Sequence, residues 1–406
     1  MNVIITPSKA AGIVSAPPSK SLAHRLLICA GMCEEESIVH GISESEDVSA
    51  TLDCLSAMGA KYERIDGGDT IRIKGVDFTK AAPSAPLNCR ESGSTIRFFI
   101  PSALLSGNTV MFRGSETLMK RPMDVYKKIC DEGKMLFIQD GNSIVTKGKL
   151  TSGNYTVVGN ISSQFISGLL FALPMCEGNS TVNIIPPIES RSYIELTLSA
   201  LATFGVRAEW KDEHTLFIYG SQRYKACEAT VEGDYSNAAF LDAFNVLGGN
   251  VKTEGLPENS IQGDSVYPRY FDMIVKGAPS IHLGDCPDLG PIMFALSAAK
   301  YGGIFSGTRR LKIKESDRAS AMAEELRKFG VSVTVNEDSV VIYPAEFHKP
   351  TEPLKGHNDH RIVMSLAVLL SLTGGEIEGA EAVTKSFPDF FKKISSLGIG
   401  VHEIDT

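Results

Sequence analysis

The sequence predicts an α/β fold in which one helix-and-strand unit occurs six times, three units in each of two domains. Each unit starts with polar residues suited to helix caps, continues as an apolar helix, ends at a glycine and then enters a β-type segment. Most of the glycines that end these helices are spaced by about 71 residues, which indicates a repeat. The 406 residues are enough for two or three domains, and the 43% hydrophobic content is ordinary for a soluble globular protein.

The apolar helix is the first element of each unit, and a helix that is apolar on all sides is buried. In chain order these helices are predicted at residues 26–30, 96–105, 165–175, 238–247, 292–299 and 362–372. The glycines that end them are Gly31, Gly107, Gly178, Gly249, Gly303 and Gly375. Strand segments follow at residues 37–39, 109–112, 181–184, 251, 304–305 and 377.

A second, more amphipathic helix and a β-hairpin complete most units. Such hairpins, with Gly, Asn or Asp in their turns, are predicted after Gly59, Gly133, Gly205 and Gly330. Unit four is expected to lack both this helix and its glycine, which explains the shorter interval between Gly249 and Gly303. Unit six has the helix at residues 390–397, but the sequence ends before a hairpin.

Two domains are predicted, an N-terminal one of residues 19–230 and a C-terminal one of residues 231–406 that also includes residues 1–18. The strands at residues 3–5 and 12–14 are expected to pair within the second domain. The chain then crosses between the domains near residues 17–19 and 232–234, where proline and glycine suit a crossover. The N-termini of the six buried helices are expected to converge on an active site in the cleft between the domains, where their dipoles would attract anions.

Composition excludes several classes of protein. The net charge of −8 argues against a broad nucleic-acid surface, which would usually be basic. The eight cysteines are scattered without a CxxC pair or a Cys/His cluster, which argues against zinc and iron–sulfur sites and fits a reducing cytoplasm. The longest apolar run, residues 362–373, is shorter than the roughly 20 residues that span a bilayer, and no signal peptide is evident.

Basic side chains recur at the starts of the units. Residues 17–25 place Lys20, Ser21 and Arg25 at the first apolar helix, where the helix dipole favours an anion. Taken singly, such a start is better explained as a capped surface helix with solvated cations, and the case for a binding site comes from the recurrence of the pattern along the chain. The cations gathered from all the starts are Lys20, Arg25, Arg97, Arg121, Lys314, Arg318, His360, Arg361 and Lys385. Because arginine suits bidentate contacts with phosphate and carboxylate, this number indicates substrates with several negative charges.

Neutral and acidic residues accompany these cations. Gly93 permits close backbone approach to a ligand, and Ser162-Ser163-Gln164 offers more hydrogen-bonding groups than a helix cap requires. Asp288 follows a proline at the start of a buried helix. Glu315 lies between Lys314 and Arg318, whose spacing predicts one shared helical face. Two acids among many cations are typical of general acid–base chemistry on phosphorylated substrates.

A set of motifs then identifies a resemblance that covers nearly the whole chain. They occur in the order PSKSLAHR, ESGSTIRFF, KRP, SSQF, EGDYSNAAF, PDLGP, KIKESDR, NDHR and TKSFPDF. Together they resemble the 5-enolpyruvylshikimate-3-phosphate synthase family of enolpyruvyl transferases. The resemblance implies a two-domain inside-out α/β barrel and transfer of the enolpyruvyl group from phosphoenolpyruvate to the 5-hydroxyl of shikimate 3-phosphate, with release of phosphate. It also implies that no metal or organic cofactor takes part.

The resemblance further implies roles for individual residues. The implied ligands of shikimate 3-phosphate are Lys20, Ser21, Arg25, Ser162, Ser163, Gln164, Ser190, Tyr193, Asp288 and Lys314. The implied ligands of phosphoenolpyruvate are Lys20, Gly93, Arg97, Arg121, Gln164, Arg318, His360, Arg361 and Lys385. Asp288 resembles the acid that takes the proton of the 5-hydroxyl. Glu315 and Lys20 are candidates for protonating the methylene carbon and for the elimination step.

Two positions depart from the family pattern, since asparagine often stands where this chain has Glu91 and Arg310. Both bear on substrate affinity and on sensitivity to glyphosate, the family's inhibitor at the phosphoenolpyruvate site.

Three alternatives stay open at this point. One is the related transferase that acts on UDP-N-acetylglucosamine, although no cysteine lies between Gly114 and Arg121, where that enzyme carries a reactive one. Another is a protein like RNA 3′-phosphate cyclase, and the third is a non-catalytic repeat scaffold. The preferred hypothesis is a cytoplasmic, monomeric transferase of small molecules without nucleic-acid or membrane partners.

Overall fold

The computed structural model describes residues 1–404. Within them the α-helices are α1 (Lys20–Gly31), α2 (Glu46–Ala57), α3 (Gly93–Ala103), α4 (Glu116–Met119), α5 (Asp124–Glu132), α6 (Ser163–Ala172), α7 (Arg191–Thr203), α8 (Tyr235–Val246), α9 (Tyr267–Lys276), α10 (Gly290–Ala298), α11 (Arg318–Lys328), α12 (His360–Thr373) and α13 (Phe390–Ser396). Short 3₁₀ helices occupy Asp66–Gly68, Leu173–Met175, Gly263–Val266, Pro287–Leu289, Arg309–Ile313 and Ala380–Lys385.

The strands are numbered in chain order. They are β1 (Asn2–Thr6), β2 (Ala11–Ser15), β3 (Glu36–His40), β4 (Lys61–Ile65), β5 (Thr70–Lys74), β6 (Leu87–Asn88), β7 (Gly107–Arg113), β8 (Leu136–Asp140), β9 (Ser143–Gly148), β10 (Asn154–Val158), β11 (Ser180–Ile185), β12 (Ala208–Trp210), β13 (Thr215–Ile218), β14 (Glu228–Thr230), β15 (Asn250–Glu254), β16 (Ser280–His282), β17 (Gly303–Ser306), β18 (Val333–Val335), β19 (Ser339–Ile342), β20 (Leu354–Lys355), β21 (Gly375–Glu378) and β22 (Gly400–Ile404).

One sheet topology recurs in five of the six units. The sheets have the strand orders β14-β3-β5-β4, β6-β7-β9-β8, β10-β11-β13-β12, β16-β17-β19-β18 and β20-β21-β1-β22. In each sheet the first two strands are parallel and the other neighbours are antiparallel. The predicted repeat of six helix-and-sheet units is confirmed, with a reduced, two-stranded sheet of β15 and β2 in unit four.

The sheet of unit six is completed by the N-terminal end of the chain. Strand β1 pairs antiparallel with both β21 and β22, with Asn2 opposite Glu378 on one side and opposite Ile404 on the other. Strand β2 pairs in parallel with β15 of unit four. The prediction that the first strands pair within the C-terminal domain is confirmed, and β1 and β22 take the places of the hairpin in unit six.

The prediction for unit four was wrong about which element is absent. Helix α9 is present and ends at Gly277, so the second helix and its glycine both exist. The hairpin is what this unit lacks among the described residues, because β15 pairs with β2 alone and the chain continues from α9 directly into β16. The missing hairpin accounts for the shorter interval between Gly249 and Gly303.

The chain divides into two compact units, one formed by Pro18–Glu232 and the other by Met1–Pro17 with the chain from Gly233 onward. The divisions lie within two residues of the predicted domain boundaries. Each unit has its own hydrophobic core. Helices α1, α3 and α6 are buried in the first core and α8, α10 and α12 in the second, as their apolar sequences predict. Among the described residues no helix combines the length and apolar character needed to cross a membrane.

The starts of the buried helices are fixed by side-chain caps. Ser19, Ser92, Ser162, Asp234 and Asp359 each accept a hydrogen bond from a backbone N–H in the first turn of their helix. Helix α10 differs, since Leu289 precedes it and no side chain caps it. These polar starts bring the predicted site residues to the ends of rigid, buried helices.

Close contact between α3 and α6 depends on the absence of a side chain at Gly168. A Cβ atom there would overlap the hydroxyl of Tyr126 and the carbonyl oxygen of Arg97. The Tyr126 hydroxyl donates to that same carbonyl at 2.6 Å. Backbone atoms cannot move aside as a flexible side chain can, so the site tolerates only glycine.

We expect Gly168→Ala to destabilise the protein. The overlap costs about 3 kcal/mol, which exceeds the gain of about 1 kcal/mol from the higher helix propensity of alanine. Unfolding in guanidinium chloride measures the effect. Gly153→Ala is the matched control, because a Cβ at Gly153 points into open space. Equal midpoints for the two variants would contradict the expectation.

Candidate active site

Arg25 is a buried cation of the Pro18–Glu232 unit, and four hydrogen bonds hold it. Its Nε donates to Thr197 Oγ1 at 2.9 Å and its Nη1 to the Ser21 carbonyl at 2.6 Å. Its Nη2 donates to Ser167 Oγ at 3.4 Å and to the Tyr193 carbonyl at 3.0 Å. Burial lowers the pKa of Arg25 to about 10, which still leaves it charged at neutral pH.

The geometry around Arg25 limits how it can bind a ligand. A guanidinium carries five N–H groups, and the four contacts above occupy all but one of them. Thr197 is the centre of this arrangement, because its hydroxyl also contacts Ser167 Oγ at 2.7 Å and donates to the Tyr193 carbonyl at 3.0 Å. Arg25 is thus held rigidly by α1, α6 and α7 and offers one N–H and its charge to a substrate.

Lys20, in the first turn of α1, forms an ion pair with Asp47 of α2, with 2.7 Å between Nζ and Oδ2. Asp47 was not predicted. Beneath the pair, His24 is fully buried, and burial lowers its pKa to about 3, so it stays neutral. Its Nδ1 lies 2.7 Å from Thr51 Oγ1, which in turn lies 2.8 Å from Thr95 Oγ1. Buried hydroxyls therefore connect α1 and α2 to the start of α3.

Gly93 lies against two arginines at the start of α3. A Cβ at this position would lie 2.9 Å from Arg121 Nη1 and 3.3 Å from Arg97 Nη1. Gln164 of α6 completes the group, since its Oε1 accepts from Arg97 at 2.7 Å and its Nε2 donates to Ser94 at 2.9 Å. The structure therefore brings together four of the residues that the resemblance assigns to phosphoenolpyruvate.

The serines implied in binding shikimate 3-phosphate begin two helices of the same unit. Ser162 caps α6 and Ser163 is its first residue, and both are buried. Ser190 precedes α7 in a left-handed conformation with φ of 56° and is fully buried. This conformation is uncommon for a residue other than glycine and is often found at functional sites. The guanidinium carbon Cζ of Arg25 lies over the ring of Tyr193, 5.9 Å from the centre of that ring.

Asp288 is the centre of the candidate site in the other unit. Its Oδ1 lies 3.2 Å from Lys314 Nζ and 2.8 Å from Arg318 Nη1, and its Oδ2 lies 2.9 Å from Arg361 Nη2. Asp288 therefore does not cap α10, although its position after Pro287 is compatible with that role. Burial lowers the pKa of Lys314, while the negative charge of Asp288 opposes this effect.

Arg318 is bound by two further acids. Its Nη2 lies 2.6 Å from Glu315 Oε2 and its Nε lies 2.8 Å from Asp359 Oδ2. Burial alone would lower the pKa of Arg318, but the charges of Asp359, Glu315 and Asp288 outweigh burial and raise it. Asp359 is fully buried, also caps α12 and was missed as a site residue, although it lies inside the NDHR motif.

The expectation that Lys314 and Arg318 share one helical face was wrong. Lys314 has an extended backbone conformation and Asp317 caps α11, so the helix begins only at Arg318. Asp317 ends the loop because its side chain accepts from the Ser320 N–H at 3.1 Å. The loop nevertheless brings both cations to the same oxygen of Asp288.

Lys385 and His360 lie at the start of α12. Lys385 Nζ donates to the Asn358 carbonyl at 2.6 Å. His360 is buried, with its Nδ1 3.9 Å from Asp359 Oδ1.

The two positions that depart from the family pattern lie in different units. Arg310 is buried in the 3₁₀ helix Arg309–Ile313. In the first unit, Glu91 accepts from Ser115 Oγ at 3.3 Å.

One group of side chains among the described residues brings possible metal-ligand atoms together. These are Glu324, Glu325 and His357, whose ligand atoms lie within 4.8 Å of one another. The Glu325 carboxylate already contacts Lys328 Nζ at 2.9 Å. His357 Nε2 lies 2.8 Å from the other oxygen, so both oxygens of this carboxylate already have side-chain partners.

Solved structures of enolpyruvyl transferases have the same fold as this chain. An EPSP synthase from Acinetobacter baumannii matches with a TM-score of 0.78 at 23% identity, covering 100% of both chains. The enolpyruvyl transferase NikO from Streptomyces tendae matches with a TM-score of 0.79 at 13% identity, covering 99% of this chain and 98% of its own. The predicted fold class, the two-domain inside-out α/β barrel, is thereby confirmed.

Sequence comparison defines the family within that class. The chain is 38% identical to a 3-phosphoshikimate 1-carboxyvinyltransferase of Clostridium acetobutylicum, over 99% of both chains. It is 35% identical to the enzyme of the same name from Clostridioides difficile, over 98% of both chains. The family model described as EPSP synthase (3-phosphoshikimate 1-carboxyvinyltransferase) matches residues 4–394, and the chain belongs to this family.

A buried acid near Asp288 makes a pH-dependent contribution to stability. Burial and the negative charge of Asp288 raise the pKa of Asp264 to about 6. An unfolded aspartate titrates near 3.9, so the folded form binds this proton more tightly. The resulting stabilisation is present below about pH 4 and is lost as the pH rises to about 6.

We expect Asp264→Asn to remove this pH dependence. Relative to the unsubstituted protein, the variant should gain stability as the pH rises from about 4 to about 7. Denaturant midpoints at several pH values measure the difference. Asp272→Asn, at an exposed ion pair of α9, is the control and should give a constant difference. A constant difference for Asp264→Asn as well would refute the assignment.

Proposed function

We propose that the chain transfers the enolpyruvyl group of phosphoenolpyruvate to the 5-hydroxyl of shikimate 3-phosphate and releases phosphate. This is a step of the shikimate pathway, which supplies aromatic amino acids. The family match over residues 4–394 and the relatives named 3-phosphoshikimate 1-carboxyvinyltransferase support this activity.

The observation that carries the proposed chemistry is the carboxylate of Asp288 among Lys314, Arg318 and Arg361. A carboxylate at this position can accept the proton of the 5-hydroxyl. The surrounding cations can bind the phosphate and carboxylate groups of the substrates and stabilise the charge that develops on the departing phosphate. We therefore assign Asp288 as the general base.

The reaction needs a proton on the methylene carbon of phosphoenolpyruvate as well as loss of the hydroxyl proton. Protonation creates an oxocarbenium-like centre that the 5-hydroxyl oxygen attacks. The tetrahedral adduct then loses phosphate, and a proton leaves the former methylene carbon as the double bond forms again. Glu315, which contacts Arg318, and Lys20, which contacts Asp47, are the groups proposed for these proton transfers.

The substrate ligands are proposed from the family resemblance. Those for shikimate 3-phosphate are Lys20, Ser21, Arg25, Ser162, Ser163, Gln164, Ser190, Tyr193, Asp288 and Lys314. Those for phosphoenolpyruvate are Lys20, Gly93, Arg97, Arg121, Gln164, Arg318, His360, Arg361 and Lys385.

The alternative activities receive less support. The relatives are named for the shikimate reaction, which favours it over transfer to UDP-N-acetylglucosamine and over an RNA 3′-phosphate cyclase-like activity. A monomeric state, a cytoplasmic location and the lack of nucleic-acid partners stay predictions. Catalysis without a metal or organic cofactor is proposed from the family resemblance.

We expect phosphate release to require both substrates and to proceed in the presence of EDTA. Asp288→Asn keeps the shape of the side chain but removes the base, so kcat should fall by about 10²- to 10⁴-fold. Steady-state phosphate release measures this, with Asp272→Asn as the control and thermal unfolding as a check on folding. A folded wild-type protein that releases no phosphate would refute the activity. Near-normal release by Asp288→Asn would keep the activity and move the base to Glu315.

A further inference from the structure

Helix α11 contacts the segment before α12 at two points on one face. Arg318 and Glu325 are seven residues apart, about two helical turns, so their side chains lie on the same side of α11. Arg318 binds Asp359, which caps α12. The Glu325 carboxylate forms hydrogen bonds with the backbone N–H of Lys355 and with the His357 ring in the same segment. Its role is not explained by the proposed chemistry, because it contacts none of the assigned substrate ligands.

The carboxylate of Glu325 is fully buried and has three donors. Its Oε1 accepts from His357 Nε2 at 2.8 Å, and its Oε2 accepts from the Lys355 N–H and from Lys328 Nζ, both at 2.9 Å. Burial opposes ionisation, but the bonds from His357, Lys328 and Lys355 outweigh it and lower the pKa of Glu325. Because the carboxylate is ionised, His357 carries its proton on Nε2.

The backbone held by Glu325 has an uncommon conformation. His357 and Asn358 are consecutive residues with φ of 49° and 51°, in the left-handed region that residues other than glycine rarely adopt. Such a conformation persists only where the surrounding contacts hold it. The His357–Glu325 hydrogen bond is the side-chain contact that fixes the first of these two residues.

This backbone determines where two proposed phosphoenolpyruvate ligands lie. The Asn358 carbonyl accepts from Lys385 Nζ at 2.6 Å. Asp359 is the next residue and caps the start of α12. The second residue of this helix is Arg361, whose Nη2 lies 2.9 Å from Asp288 Oδ2. A different conformation at His357 would turn the Asn358 carbonyl away from Lys385 and would alter the start of α12.

We propose that Glu325 is a positioning residue that acts through His357 to hold residues 355–361 in the conformation that places Lys385 and Arg361 for phosphoenolpyruvate. The inference rests on the proposed function, since it takes these two cations as ligands of that substrate. It predicts a selective effect on one substrate, which a general loss of stability would not produce.

The first test is His357→Asn. Asparagine adopts the left-handed conformation more readily than most residues, but its shorter side chain cannot make the same bond to Glu325. Glu325 keeps Lys328 and the Lys355 N–H, so the variant should fold. Loss of a hydrogen bond to a charged group should raise KM for phosphoenolpyruvate about tenfold and leave KM for shikimate 3-phosphate within about twofold.

A double-substitution cycle tests whether the effect acts through Glu325. Glu325→Gln should also raise KM for phosphoenolpyruvate, and the effects of Glu325→Gln and His357→Asn should not add when they are combined. Glu324→Gln is the matched control on the same helix, because Glu324 is half exposed and its nearest cation, Lys355, is 4.0 Å away. Its effect should be negligible alone and additive with His357→Asn.

Hydrogen exchange gives a readout that does not depend on activity. Amide exchange at residues 356–361 should be faster in His357→Asn than in the unsubstituted protein or in Glu324→Gln. A wild-type protein without activity would refute the proposed function, and the exchange result would still decide whether Glu325 orders this segment.

Three results would overturn the positioning role. One is unchanged KM for phosphoenolpyruvate and unchanged exchange in His357→Asn. Another is an equal rise of KM for both substrates together with a lower melting temperature, which would indicate a general structural role. The third is loss of activity on chelation with EDTA that Zn²⁺ restores, because the Glu324–Glu325–His357 group would then hold a metal.

Discussion

Burial of the Arg318 guanidinium is the constraint on which the candidate site depends. A buried charge is costly unless it is paired or hydrogen-bonded, and removing one partner of a buried ion pair typically costs about 3–5 kcal/mol. Asp288, Glu315 and Asp359 supply the pairing from three separate segments of the chain. Arg318 therefore connects the proposed base, a proposed proton donor and the cap of α12. Arg25, in the other unit, is equally buried but is held by neutral oxygens, which leaves its positive charge uncompensated for a substrate.

Periodic features of the fold could be predicted from the sequence, whereas features that depend on distant pairing could not. Apolar helices and their terminal glycines follow from local composition, so α3, α6 and α12 lie where they were expected. Helix α9 was missed because it is amphipathic, with apolar residues on one side only. It also starts with Tyr267-Pro268, and a proline there resembles a loop in the sequence. The completion of the sixth sheet by β1 depends on strand pairing between the two ends of the chain, and no local pattern specifies the register of that pairing.

Within the candidate site, the motifs identified residue types but not their partners. Lys20 and Arg318 were expected from charge in helix starts, yet their acids, Asp47 and Asp359, resemble ordinary first-turn or capping residues in the sequence. Thr197 and Glu325 lie inside helices without any motif of their own. Their importance follows from burial and from what they touch, which only the three-dimensional structure supplies. Such partners could be sought by asking which buried cations lack a neutralising group nearby in the sequence.

One of the two units is formed by Met1–Pro17 together with the chain from Gly233 onward, so its parts are synthesised at different times. Residues 18–232 are contiguous, so this unit can fold as soon as it has left the ribosome. Strand β1 is made before residues 18–232, whereas its partners β21 and β22 are made after them. At 5–20 residues per second, the roughly 370 residues between Ile5 and Gly375 take about 20–75 s to synthesise. Until then β1, whose Val3 and Ile5 are buried in the completed sheet, has neither of its partner strands.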